Sequence, residues 1–254
     1  MIQNTFDPSS EEVILPSMVY EQAKITLETM IITFSYKVID YLKENGLIEP
    51  LDDVCRSVSG QQPIYVLKDY PGIGVFKTIP GAATTVCFLE ELGHIVKTKK
   101  FILFGSCGVL DTNLVAGKII VPDCAIRDEG TSYHYAKAEN EIEIKNAKFI
   151  SQLFTKHHIE HVLGKTWTTD AIYRETKDLV KKRKAEGCIC VEMEVAAVQA
   201  MCDFRNYEFY PFIYSADNLD ASAWDIRILG NVGKNEFADY FSVALSLAKA
   251  INRE

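Results

Sequence analysis

The chain carries seven cysteines but no CxxC pair. An odd count without that spacing argues against a structural zinc site and against a disulfide framework. Cys87, Cys107, Cys190 and Cys202 lie in apolar runs, as buried reduced thiols of a cytoplasmic protein would. No apolar run approaches the length of a membrane span, and the first residues, Met1 to Glu12, are polar and acidic, unlike a secretory signal. Positive charge is also scarce. The formal net charge is -8, which speaks against a nucleic-acid footprint. The one basic run, Lys181-Lys182-Arg183-Lys184, reads as a solvated helix face. There is no internal repeat and no low-complexity linker.

What is present is an ordinary globular composition, 48% hydrophobic and 24% charged over 254 residues, enough for one large α/β domain. Residues 1–254 are read as that single domain, with 1–29 a candidate N-terminal extension. Strand-like runs alternate with amphipathic stretches, the pattern of a mainly parallel or mixed sheet. Met30–Phe34 reads as the first strand and Tyr36–Asn45 as a helix. Pro63–Leu67 and Gly74–Thr78 read as a hairpin around Tyr70-Pro71-Gly72. Ala82–Leu92 reads as a helix stopped by Gly93. Phe101–Phe104, Lys118–Ile126, His161–Thr168, Cys188–Val191 and Phe209–Tyr214 read as strands, Val195–Phe204 and Val232–Ile251 as helices. The last helix carries Phe237, Phe241, Ala244, Ala248 and Ile251 on one stripe. Cys188 and Cys190, two apart in a strand, are expected on one face.

Chemistry concentrates where strands end. Val191-Glu192-Met193-Glu194 joins a strand to a helix, and Ser215-Ala216-Asp217-Asn218 ends another strand. In open α/β folds ligands sit at the carboxyl ends of strands. Three carboxylates there suit a polyhydroxylated ligand and an acid that helps to break it. Each has a plainer reading: Glu192 and Glu194 as acids favouring a helix N-terminus, Asp217 as the cap of a turn. Two residues apart on a helix do not share a face, so one glutamate is expected to meet ligand and the other to hold structure. Gly105-Ser106-Cys107-Gly108 follows a buried strand; it reads either as an anion-binding loop or as a tight turn. The polar, aromatic stretch Arg127–Tyr135 reads as a substrate rim.

Taken in order, Gly105-Ser106-Cys107-Gly108, Arg127-Asp128-Glu129-Gly130-Thr131-Ser132, Thr169-Asp170-Ala171-Ile172-Tyr173, Val191-Glu192-Met193-Glu194 and Ser215-Ala216-Asp217 resemble the nucleoside phosphorylase family. That family includes purine nucleoside phosphorylases, uridine phosphorylases and methylthioadenosine nucleosidases. The resemblance implies a three-layer α/β/α sandwich around a mixed, partly barrel-like central sheet. It implies cleavage of the N-glycosidic bond of a purine or related nucleoside by phosphate, with no metal or organic cofactor, in a homo-oligomer (dimer or hexamer). It also implies roles: Glu194 on the ribose hydroxyls, Met193 beneath the sugar, Gly105 and Ser106 toward phosphate or nucleophile, Ile172 and Tyr173 lining the base pocket. Glu192 and Asp217 would face the purine, with Asp217 the general acid and Arg227 the candidate for the arginine that follows it. The chain departs from the phosphorylase pattern at two places. Leu103 stands where an arginine is usual, and Thr33-Phe34-Ser35-Tyr36-Lys37 replaces a Gly-Asp-Pro loop with its arginine. Those departures leave hydrolysis as the alternative reaction, and uridine cleavage or nucleoside binding without turnover as further alternatives.

Overall fold

The computed structural model describes residues 2–57, 60–114 and 117–252. Its strands are β1 Thr29–Thr33, β2 Ile48–Ser57, β3 Gly60–Leu67, β4 Tyr70–Lys77, β5 Lys100–Val109, β6 Ile119–Asp128, β7 Glu141–Glu143, β8 His161–Thr169, β9 Cys188–Glu192 and β10 Glu208–Asn218. Its helices are α1 Tyr36–Glu44, α2 Ala82–Ile95, α3 Ala147–Lys156, α4 Lys177–Ala185, α5 Val195–Arg205 and α6 Lys234–Ile251. The sheet runs β10-β6-β8-β9-β5-β1-β4-β3-β2, and β10 pairs back onto β5. That pairing closes β5, β10, β6, β8 and β9 into a five-strand barrel, while β1, β4, β3 and β2 continue as an open sheet. Helices α1 and α6 pack together on one side, α2 and α5 together on another. The expected α/β/α sandwich with a partly barrel-like mixed sheet is therefore the fold.

Burial explains which runs became strands. Every residue of β1 is buried, as is most of β5 and β10, the signature of strands covered on both faces. Cys107, Val109, Ile120, Cys190 and Ile213 form one small cluster contributed by β5, β6, β9 and β10, so closed pairing fills the barrel with side chains rather than leaving a pore. The stripe on α6 is buried as expected, with Phe237, Phe241, Ala244, Ala248 and Ile251 all within the core.

Several local expectations change. The β3–β4 hairpin turns at Lys68-Asp69, because Leu67 pairs with Tyr70. Tyr70-Pro71-Gly72 lies within β4 at an irregularity in the ladder, a place where proline's missing N–H costs no bond. Gly93 lies inside α2 rather than ending it, since a Cβ there would stand 2.6 Å from the Tyr207 hydroxyl. Strand β2 was not expected at all. Its Pro50, Asp52 and Asp53 lack a hydrophobic alternation, and they are tolerated because β2 is the sheet edge. Cys188 and Cys190 part company: β9 gains a residue against β8 between them, so Cys188 packs with Trp167 and Cys190 inside the barrel.

Among the described residues before β1, the helical structure is two single 3-10 turns, at Ile2–Asn4 and Pro16–Met18, yet the segment is tied down. Ala23 and Leu27 donate backbone N–H groups to Ile95 and Val96 at 2.8 and 3.0 Å. A cavity of about 620 Å³ lies between this segment, α2 and the turn at Thr131–His134, away from Asp217. No helix among the described residues is long and apolar enough to cross a membrane.

Candidate active site

The carboxyl ends of the barrel strands gather the predicted residues. Thr168 of β8 registers with Glu192 of β9, Val191 with Gly108 of β5, and Gly108 with Asp217 of β10. Four strands are thereby fixed on one rim by backbone hydrogen bonds.

Glu192 and Glu194 both lie outside the body of α5 and are held differently. Glu192 is the last residue of β9, and its carboxylate accepts four hydrogen bonds. Oε2 takes the backbone N–H groups of Glu194 and Val195, both at 2.7 Å. Oε1 takes the hydroxyls of Thr168 at 2.6 Å and Thr166 at 3.3 Å. Thr168 Oγ1 in turn accepts the N–H of Ala196 at 3.1 Å. Glu192 and Thr168 thus satisfy three N–H groups of the α5 N-terminus that no helical carbonyl can reach. Burial pushes the Glu192 carboxyl upward against those hydrogen bonds, which pull it down. Glu192 therefore sits beneath the rim with its oxygens occupied.

Glu194 is the N-cap of α5, with non-helical backbone, so its side chain leaves the helix and reaches Gly81. Its Oε1 accepts the Gly81 N–H at 2.6 Å, and the carboxyl also receives a backbone hydrogen bond from Met193. The residue is 6% exposed. Burial, then the charge of Glu192, push its carboxyl up to about 8. A carboxyl of that kind can donate as well as accept near neutral pH. Met193, half-buried, lies between the two glutamates.

Asp217 follows a bulge in the β5–β10 ladder, where Ser215 pairs with Cys107 and Asp217 with Gly108. It is 8% exposed, and burial raises its carboxyl while a hydrogen bond from Trp224 lowers it. Trp224 Nε1 donates to Asp217 Oδ2 at 2.7 Å. Glu175, in the loop after β8, feels the charge of Asp217, and burial raises it to about 7.

The other end of the site differs from its expectation. Gly105-Ser106-Cys107-Gly108 is not a loop; β5 runs through it to Val109, and its backbone is paired with β10 and β9. Its glycines make room for side chains. A Cβ on Gly105 would stand 2.7 Å from the Phe34 ring, and one on Gly108 2.4 Å from Leu219 and 3.4 Å from Asp217 Oδ1. Ser106 is exposed. Leu103 is 1% exposed, packed in the strand. Lys37 donates its Nζ to the carbonyls of Gly230 and Val232 at 3.2 and 3.4 Å, which ties α1 to the segment before α6. Arg127 is also engaged: its Nε donates to Ser132 Oγ at 2.8 Å and its guanidinium lies over the Tyr133 ring.

Ile172 and Tyr173 lie on a 3-10 turn at the same rim, 46% and 96% exposed. Arg227 lies beyond Trp224 with a left-handed backbone, φ 42°, and its guanidinium forms no ion pair among the described residues. Sequence reasoning missed Gly81, Thr166, Thr168, Glu175 and Trp224. The two threonines carried a signal, since residues two apart in a strand share a face. The others are brought in by distant loops. Among the described residues, no three His, Cys, Asp or Glu side chains group as a metal site.

A mixed sheet closed into a barrel, with buried carboxyls at its rim, places the chain in the α/β/α class that works at the carboxyl ends of its strands. The family model described as "Phosphorylase superfamily" matches residues 59–245, and the chain belongs to that superfamily. It is 29% identical over 165 residues to a guanosine phosphorylase of Halorubrum lacusprofundi, covering 61% of this chain and 68% of that one. It is 25% identical over 165 residues to a DeoD-type purine nucleoside phosphorylase of Buchnera aphidicola, covering 63% and 69%. A protein of Acanthamoeba polyphaga mimivirus is 27% identical over 166 residues, and the chain spans 64% of its length. Among solved structures, an AMP nucleosidase from Bacteroides thetaiotaomicron superposes with a TM-score of 0.70 at 15% identity, covering 90% of each chain, which is a likeness of fold.

Proposed function

We propose that this protein cleaves the N-glycosidic bond of a purine or related nucleoside. The observation that carries the reading is the pair of buried carboxyls, Glu194 and Asp217, raised by burial and carried by the β9–α5 junction and β10. Glu194, with Oε1 on Gly81 N–H, binds the ribose hydroxyls through its second oxygen, and Met193 packs beneath the sugar. Asp217 protonates the leaving base. Bond cleavage builds positive charge on the sugar and negative charge on the departing base, so a neutral acid at the base lowers the barrier. Glu192 supports both by fixing the start of α5. Ile172 and Tyr173 close on the base side, Arg227 assists Asp217, and Gly105 and Ser106 border the nucleophile.

Inorganic phosphate is the proposed nucleophile, giving free base and (deoxy)ribose 1-phosphate. Support comes from relatives matched in sequence that carry phosphorylase names. Hydrolysis is the second reading, favoured by one specific observation. Phe34 covers Gly105, Lys37 is tied to carbonyls, and Leu103 is buried, so the bidentate cations that usually hold phosphate are not supplied by these positions. The reaction is placed in the cytoplasm, in a homo-oligomer, without metal or organic cofactor. Incubation with a panel of purine and pyrimidine nucleosides, with and without phosphate, separates the readings by the sugar released. Ribose 1-phosphate formed only with phosphate supports phosphorolysis, free ribose in its absence supports hydrolysis, and no base released from any nucleoside refutes both.

A further inference from the structure

Trp224 has no part in the scheme above, yet it makes the one side-chain hydrogen bond to Asp217 among the described residues, Nε1 to Oδ2 at 2.7 Å. Hydrophobic packing does not account for its place, because the side chain is 60% exposed. Its loop is instead locked to the strand that bears Asp217. Asn218 and Asp225 exchange both backbone hydrogen bonds at 2.9 and 3.2 Å, and Ile228 N–H meets the Ala216 carbonyl at 3.0 Å. Asp220 N–H meets Asn218 Oδ1 at 2.9 Å. These bonds hold the indole on one chosen oxygen.

An indole N–H can only donate. The oxygen that it touches must accept, whether Asp217 is ionised or neutral. In the neutral acid the carbonyl oxygen is the stronger acceptor, so the indole favours the O–H on the other oxygen, Oδ1. That oxygen lies over Gly108, 3.4 Å from where a Cβ would stand. We propose that Trp224 is a positioning residue for Asp217: by occupying Oδ2 it places the transferable proton on Oδ1, the oxygen over Gly108. The proposal rests on the reading of Asp217 as the leaving-group acid. In the proton transfer, the Oδ1–H bond breaks, the base nitrogen gains the proton, and the carboxylate left behind keeps its indole donor. Apart from Arg227, the proposed assistant of Asp217, the other side chains that act on Asp217 among the described residues oppose ionisation or are neutral. Asp225, on the loop, and Glu175, after β8, are carboxyls whose charge repels that of Asp217, and the Cys107 thiol, on β5, is buried and held in its neutral form. Trp224 is the side chain that favours the carboxylate.

The test uses the full chain labelled with ¹⁵N. With two tryptophans, the protein gives two indole signals, which Trp224→Phe assigns. Trp167 donates to Asp128 instead and serves as the control. The Trp224 signal should titrate once, above the ordinary aspartate range, and that transition should vanish in Asp217→Asn; a Trp224 signal indifferent to Asp217→Asn overturns the proposal. With a nucleoside that is turned over, Trp224→Phe should lower kcat by on the order of tenfold, the value of one hydrogen bond to a charged group, with a smaller change in KM. The high-pH limb of the kcat profile should move to higher pH, because a donor to the carboxylate is lost. In the Asp217→Asn background the same substitution should add no further loss. An equal loss in both backgrounds, or a KM effect with an unmoved profile, makes Trp224 a loop contact only and overturns the proposal. Undiminished turnover by Asp217→Asn is a different failure, of the acid assignment beneath it.

Discussion

The two ends of the candidate site are built on different principles. At the α5 end, carboxyl groups are buried and held by hydrogen bonds: Glu192 by two N–H groups and two hydroxyls, Glu194 by the backbone of Gly81 and Met193, Asp217 by Trp224. At the β1 end, around Gly105 and Ser106, hydrocarbon fills the space. The Phe34 ring lies over Gly105, and Lys37 serves the fold. Burying carboxyl groups is costly unless hydrogen bonds compensate it, and that compensation at the α5 end is what supports the proposed sugar and base contacts there. The β1 end shows no such investment in holding an anion.

The largest effect expected from this contrast is structural. Glu192→Ala strands two α5 N–H groups and two threonine hydroxyls, at a cost of about 3 kcal/mol or more. Urea unfolding measures it, and a change below 1 kcal/mol would mean that Glu192 is not the support of this end. Glu194→Gln should act through pH. The folded chain keeps a proton on Glu194 up to about 8, whereas the unfolded chain releases it near the ordinary glutamate value of 4.5. Between those values the folded state binds more protons, so stability is greatest below the lower value and falls as pH rises toward the upper one. The amide keeps an acceptor for Gly81 and removes the titration, so melting temperatures taken from pH 5 to 8 should flatten in the variant. A parallel slope in both proteins would remove Glu194 from the account. The smallest effect is expected at the other end. Lys37→Met should cost no more than about 1 kcal/mol, as its amine is partly exposed, and should leave the KM for phosphate within about twofold. A tenfold rise in that KM would erase the contrast by making Lys37 an anion ligand.

Much of this was readable before the fold was known. Apolar runs giving way to acids after Val191 and Tyr214 pointed to the neighbourhood of Glu192, Glu194 and Asp217, although β9 runs on to Glu192 and β10 to Asn218. Their two-residue spacing said only that Glu192 and Glu194 could not share a helix face; their different surroundings come from the strand-to-helix junction, where Glu192 ends β9 and Glu194 caps α5. What could not be read depends on pairing between distant segments. Gly105 to Gly108 has the composition of a loop, and only closure of β10 onto β5 turns it into strand. The polar edge strand β2 has no periodicity to betray it. Trp224, Gly81 and Glu175 arrive on separate loops, so no spacing in the sequence links them to Asp217 or Glu194.

The central claim is that Asp217 delivers a proton to a departing base. Release of free base from a purine nucleoside, followed at saturating substrate for the native protein and for Asp217→Asn, tests it most directly. The account predicts a fall in kcat of ~10²–10⁴, the usual range for general-acid assistance, with folding stability and nucleoside binding retained. Undiminished base release by Asp217→Asn would contradict it.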